Sequence, residues 1–174
     1  MRQRVILSVL GSDRPGLTQA IADAVYAAGG NWLESHLSHL GGKYVGAALV
    51  ELDAAAIPDL EAAVAKVDAQ GLDVSVVPAG EAAGSSGVSL SLELVGQDRP
   101  GIVREVTTVL SLLQVNIEDF ETETQPGSWS GEPIFKAAAR LTLPASVSAD
   151  DLRSALEAIS GEIMVDFVIS ADEV

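Results

Sequence analysis

The sequence predicts an α+β protein of two tandem ferredoxin-like domains, each a four-stranded antiparallel sheet with two helices on one face. First, the segment LGSDRPGL at residues 10–17 recurs 85 residues later as VGQDRPGI at residues 95–102. Second, the apolar spacing of an amphipathic helix follows both copies in the same register. Third, each half reads as strand, helix, strand, strand, helix, strand, the order of a split βαβ domain.

The repeat divides the 174 residues into two domains of about 85 residues, a size that can bury its own core. Between the copies, the segment PAGEAAGSSG has no hydrophobic periodicity and the composition of a flexible connection. We therefore predict a first domain at residues 1–78, a linker at residues 79–87 and a second domain at residues 88–174.

The first domain opens with an apolar run from residue 4 to residue 10, predicted to be a buried strand that ends at Gly11. A helix is predicted to start near Pro15, because proline is tolerated in a first helical turn, and Asp13 could cap it. Gly29 and Gly30 are a strong signal for the end of this helix.

A hairpin follows, with strands at residues 31–40 and 43–52 joined by a two-residue turn at Gly41 and Gly42. A second helix is predicted from Pro58 to the stop at Gly71, and residues 72–77 form the last strand.

The second domain repeats this order. It has a strand at residues 88–95, a helix at residues 100–113, and two strands on either side of a polar loop at residues 125–133. Ser148 and Asp151 resemble a capping box at the start of the last helix, with Asp in place of Glu. Residues 163–170 are predicted to close the sheet.

Composition excludes several classes of function. Acidic residues outnumber basic ones by 25 to 10, and no cluster of Lys or Arg is present to bind nucleic acid or an anionic membrane. There is no cysteine, and His36 and His39, three apart in a predicted strand, should point to opposite faces, so no metal site is predicted. Apolar residues make up 48% of the chain but aromatic ones only 4%, which suits tightly packed layers with little room for a large cavity, so no cofactor is predicted. No apolar stretch is long enough for a signal peptide or membrane span, and we expect a cytoplasmic protein.

An enzyme is not predicted either. The sequence contains no Gly-x-Ser-x-Gly elbow, no phosphate-binding glycine-rich loop and no His-Glu-x-x-His helix. The acidic residues Glu118, Asp119, Glu121 and Glu123 are explained by a solvent-facing strand edge.

The two GSDRPG and GQDRPG turns, the Asn that follows each first helix and the βαββαβ order resemble the ACT domain, a regulatory module that typically binds amino acids. Two such domains would account for the whole chain. The layout is also similar to that of the glycine cleavage system transcriptional repressor family, as are the segments VLGSDRPG at residues 9–16 and ETQP at residues 123–126.

This resemblance implies a small amino acid, glycine or serine, held at an interface by the first turn and by the Asn. The implied ligand-binding residues are Gly11, Asp13, Asn31, Gly96, Asp98 and Asn116. Backbone N–H groups at a helix start attract a carboxylate, and Asn offers both a donor and an acceptor. Some ligand-binding members carry Asn where this chain has Asp13 and Asp98, and both Asp residues also fit a role as helix caps.

The resemblance further implies a non-catalytic regulator that acts on a protein partner, such as a transcription regulator, and forms a homo-oligomer. Trp129, in the polar loop of the second domain, is a candidate anchor for that partner. The alternative is a structural or assembly module whose ligand site is vestigial.

Overall fold

A computed structural model describes residues 1–12, 14–68, 71–80, 87–127, 132–159 and 164–168, the backbone alone for residue 68 and residues 164–168. The chain divides into two compact units, Met1–Ala82 and Ala83–Val174. The predicted linker spans this division, and its residues 81–86 lie outside the described residues.

The first unit contains the predicted βαββαβ order, with its strands in the sheet order β2-β3-β1-β4 and all neighbours antiparallel. Its elements are β1 (Arg2–Ser12), α1 (Leu17–Ala27), β2 (Asn31–Leu40), β3 (Lys43–Asp53), a 3₁₀ turn (Ala54–Ala56), α2 (Ile57–Asp68) and β4 (Leu72–Pro78).

The second unit repeats this topology with the sheet order β6-β7-β5-β8. Its elements are β5 (Val88–Gln97), α3 (Ile102–Leu112), β6 (Asn116–Pro126), β7 (Pro133–Leu143), α4 (Ala149–Glu157) and β8 (Met164–Val168). The predicted α+β fold with two ferredoxin-like domains is confirmed.

Each unit has its own hydrophobic core on the helix side of its sheet. In the first, Leu7 of β1 and Ile21 of α1 are fully buried, and in the second Leu92 of β5 and Val106 of α3 take the equivalent places. Side chains alternate across a strand, so the residues between these core positions lie on the opposite, solvent-facing side of the sheet.

The helices after the two turns begin later than predicted. Pro15 lies in a turn, and the N-cap residues are Gly16 and Gly101, both left-handed with φ of 91°. Glycine adopts this conformation without the steric cost that a side chain brings. Each helix therefore begins two residues after its proline, at Leu17 and Ile102, and Asp98, three residues before the cap position, does not cap α3.

Other local predictions are confirmed. Gly41 and Gly42 form the hairpin turn with φ of 57° and 79°. Ser148 Oγ accepts the Asp151 N–H at 3.1 Å, and the Asp151 carboxylate accepts the Ser148 N–H at 3.0 Å, which completes the capping box of α4. Several strands are longer than predicted: β1 continues to Ser12, and β6 and β7 extend to Pro126 and Pro133.

Candidate ligand-binding site

The turn of the first domain lies close to the start of β4. A Cβ added to Gly11 would lie 2.6 Å from the Gly71 carbonyl oxygen, so the close approach of two strands explains why this position is glycine. Asp13 lies outside the described residues. Beside the turn, Lys43 donates a hydrogen bond to the Ser12 hydroxyl at 3.3 Å, and the hydroxyls of Thr18 and Tyr44 lie 2.6 Å apart.

The corresponding turn of the second domain has different neighbours. Gly96 is buried and pairs with Phe135 across the sheet, and Asp98 is half-buried, with its backbone N–H bonded to the Pro133 carbonyl at 2.9 Å. In place of the Ser12–Lys43 contact, the Gln97 amide donates to the Glu132 carboxylate at 2.7 Å. The second turn therefore carries an anionic group where the first carries a cationic one.

A bidentate ion pair links the second turn to α3. The Arg99 guanidinium donates to both Glu105 oxygens, at 2.9 Å and 2.5 Å. These hydrogen bonds lower the pKa of Glu105 below its ordinary value. The residue equivalent to Glu105 in the first domain is Ala20, so the matching ion pair cannot form there.

Asn31 and Asn116 are exposed and occupy the first positions of β2 and β6. The pairing register places Asn31 opposite Glu51, which in turn lies opposite Arg4, seven residues before Gly11. At about 3.3 Å per residue, the Asn and the turn of one domain are about 23 Å apart along the sheet. The register of the second domain gives the same separation between Asn116 and Gly96.

This separation limits which of the predicted ligand-binding residues can act together. A small amino acid cannot touch both ends of one sheet, so the groups of a single domain do not form one site.

A cleft of about 390 Å³ lies between the last turns of α3 and the start of β6. Thr107, Ser111, Gln114 and Asn116 contribute its polar lining, and Leu110 is among its apolar residues. Gln114 has φ of 55°, and its side-chain amide donates to the Ser111 carbonyl at 2.9 Å. A volume of this size is in the range of small-molecule pockets.

Three polar residues near the first turn were missed by the sequence analysis: Ser12, Thr18 and Tyr44. The signal that could have found Tyr44 is the hairpin register, since a two-residue turn at residues 41 and 42 leads β3 back past the end of β1. Trp129, the predicted partner anchor, lies outside the described residues.

Within the described ranges, no group of three His, Asp or Glu side chains could hold a metal ion. The helices of those same ranges include none with the length and apolar character needed to cross a membrane.

Comparison with known proteins identifies the class of this molecule. Residues 3–77 and residues 90–163 each match the ACT domain, and the chain belongs to the ACT domain family, with two copies in tandem. No curated protein matches the sequence.

Two solved structures share the whole two-domain layout. An unknown protein from Galdieria sulphuraria is 28% identical with a TM-score of 0.82, and the alignment covers 96% of this chain and 98% of that one. A candidate glycine cleavage system transcriptional repressor is 16% identical with a TM-score of 0.71, covering 98% and 99%. At this identity the second likeness shows the fold alone.

Proposed function

We propose that this chain is a cytoplasmic, non-catalytic regulatory protein that binds a small amino acid, glycine or serine, and acts on a transcription regulator by direct contact. The observation that supports this most strongly is the pair of ACT domains, which together span most of the chain. ACT domains typically bind amino acids, and the two asparagines of the chain both stand at the start of the second strand of a domain.

The chemistry of the exposed groups is compatible with this ligand. The first turns of α1 and α3 carry N–H groups without intrahelical partners, which attract a carboxylate. Each Asn side chain can donate to a carboxylate or accept from an ammonium group. Ligand binding would shift the protein between functional states only as far as it prefers one of them.

The test is the thermal midpoint of the purified protein against a panel of amino acids. A ligand that binds only the folded protein, at a hundredfold excess over its Kd, adds about 2.7 kcal/mol of stability. We expect glycine or serine to raise the midpoint and Asn31→Ala or Asn116→Ala to reduce that increase. Ser38→Ala, at an exposed position of β2, is the matched control and should leave it unchanged.

A panel with no shift in the midpoint would contradict the amino-acid site. If the same preparations formed a concentration-dependent homo-oligomer, the chain would be an assembly module with a vestigial site. For the partner, we propose that Trp129 is an anchor, and Trp129→Ala should weaken capture of a transcription regulator without changing the amino-acid response.

A further inference from the structure

The side of the first sheet that faces away from its helices is apolar at its centre. Side chains alternate across a strand, so the residues between the core positions of β1, β3 and β4 lie on this side. We call it the first outer face, and its apolar residues are Ile6, Leu10, Val45, Ala47, Leu49 and Val77. Leu10 and Val77 are exposed over 52% and 43% of their surface, so this face keeps apolar side chains in solvent.

The pairing register makes these residues one contiguous patch. Ile6 lies opposite Leu49 on β3 and opposite Val77 on β4. Further along β1, Leu10 lies opposite Val45. Directly paired residues on one face have Cβ atoms about 5 Å apart, so their side chains touch. Monomeric proteins rarely expose large contiguous apolar patches, and a patch with a polar rim marks an interaction site.

The second sheet has the same topology and lacks such a patch in the part that the structure describes. The register matches three of its charged residues to uncharged residues of the first sheet: Glu93 to Ser8, Lys136 to Val45 and Arg140 to Leu49. Charges at these places are compatible with the fold, so folding alone does not account for the apolar residues of the first outer face. A surface that must bury three charges is also a poor cover for that face, because desolvating them costs free energy.

The polar groups within and beside the patch are suited to burial. The hydroxyls of Ser8 and Ser75 lie next to each other on the face and are hydrogen-bonded at 2.6 Å. At its border, Arg4 Nε lies 3.8 Å from the Glu51 carboxylate. Polar groups are costly to bury chiefly when they have no partner, so a covering surface need not supply hydrogen bonds to these four side chains.

Charges of both signs surround the patch. They are the basic residues Arg2, Arg4 and Lys43 and the acidic residues Glu34, Glu51, Asp53 and Asp73. A strongly basic or strongly acidic partner would be repelled by one set while the other attracts it. The complementary partner is therefore an apolar surface with charges of both signs at its rim, and the first outer face itself has that composition.

We propose that the first outer face is a dimerisation surface that packs on the same face of a second copy of this chain. A two-fold dimer uses the same patch on both copies, and sheets pack face to face with their strands roughly aligned. With the axis parallel to the strands and between β1 and β3, each β1 lies over the other copy's β3. Ile6 then contacts Leu49 of the partner subunit, and Arg4 lies near Glu51 of the partner subunit. This inference goes beyond the proposed function and does not depend on it.

The size of the face sets the expected strength of the dimer. Four strands about 4.8 Å apart, and the seven residues from Arg4 to Leu10 at about 3.3 Å each, define a face of about 19 Å by 23 Å. Interfaces this small are at the weak end of specific contacts, and we expect a Kd in the micromolar range. Each copy carries a formal charge of -15, so added salt should tighten the dimer by screening this repulsion.

Sedimentation of the intact protein over a range of concentrations measures the dimer. Leu49→Arg gives the first sheet the residue that the second sheet carries at the equivalent position, so the variant should fold. Because it places an unpaired charge inside the interface, it should raise the dimer Kd by at least about tenfold. Ala138→Arg adds the same charge to the outer side of the second sheet, at an exposed position, and as the matched control should leave the Kd unchanged. Thermal unfolding checks that both variants are folded.

A charge exchange tests how the two copies face each other. Arg4→Glu alone and Glu51→Arg alone each place like charges opposite one another at two contacts of the dimer, and each should weaken it. In an equimolar mixture of these two variants, the mixed dimer pairs opposite charges at both contacts. It should therefore form at lower concentrations than the dimer of either variant by itself.

The outcomes test this surface separately from the amino-acid site. A protein that stays monomeric at every concentration overturns the proposal and leaves the face to a different partner. A dimer whose Kd Leu49→Arg leaves unchanged, or a mixture that associates no better than its components, overturns it too, because the copies then meet elsewhere. In each of these cases, a rise of the thermal midpoint with glycine would still support the proposed function.

Discussion

At the scale of single residues, the turn that repeats in the sequence contains glycines with two different roles. Gly11 is required by space, because the Gly71 carbonyl and Leu72 leave no room for a Cβ. Gly16 is required by conformation, because its φ is 91° while nothing lies within 4 Å of the Cβ position. Neither glycine needs a ligand to explain it.

Substitution separates these two causes. Gly11→Ala forces β1 and β4 apart and should lower the free energy of unfolding by about 1–3 kcal/mol, as overpacking does. Gly16→Ala should cost about 1–2 kcal/mol through left-handed strain alone. Chemical denaturation measures both, and Gly80→Ala, where no atom is near the Cβ position, is the control.

A Gly11→Ala protein of unchanged stability that no longer binds glycine would contradict this explanation. That result would make Gly11 a ligand contact, in which the backbone itself approaches the amino acid.

At the scale of secondary-structure elements, the sequence predicts the order of helices and strands and the starts of β2, β3, β4 and β5, but it places the starts of α1 and α3 too early. Apolar periodicity identified α1 and α3, and the Gly41-Gly42 turn set the first hairpin. The helix starts were missed because Pro15-Gly16 forms a turn whose left-handed glycine is not visible in a hydrophobic pattern. The separation of Gly11 from Asn31 was missed because it depends on the pairing of β1 with β3, not on distance along the chain.

The capping box of α4 gives an element-level prediction. The Ser148 hydroxyl, and then its backbone N–H, lower the pKa of Asp151 by hydrogen bonding its charged form. A carboxyl with a lowered pKa in the folded state contributes stability above its unfolded pKa and loses it as the pH falls through the folded value. Ser148→Ala should cost about 1 kcal/mol at neutral pH and reduce the acid dependence of unfolding.

Denaturation at a series of pH values, down to the pKa of Asp151 in the folded protein, measures this acid dependence of unfolding. Ser154→Ala, an exposed serine inside α4, is the control and should leave the pH profile unchanged. A Ser148→Ala profile parallel to wild type would show that the capping box does not supply this part of the pH dependence.

At the scale of the whole molecule, duplication has produced two domains with the same topology and different chemistry. The cores are separate clusters of buried residues with no member in common. The polar surroundings have diverged: Lys43 stands near the first turn and Glu132 near the second, and Leu33 has Glu118 as its counterpart.

Separate cores predict separate responses to equivalent substitutions. Leu7 and Leu92 occupy the same position in the repeat, with exposed fractions of 0% and 1%. Leu→Ala at either one should destabilise its own domain by about 2–5 kcal/mol, because it removes buried surface and leaves a cavity. Amide hydrogen exchange in Leu7→Ala should accelerate within residues 1–78 alone, and in Leu92→Ala within residues 88–174 alone, which also tests the proposed domain limits. Acceleration in both halves from one substitution would mean that the two domains unfold as a single cooperative unit, and a ligand bound by one would then stabilise the other.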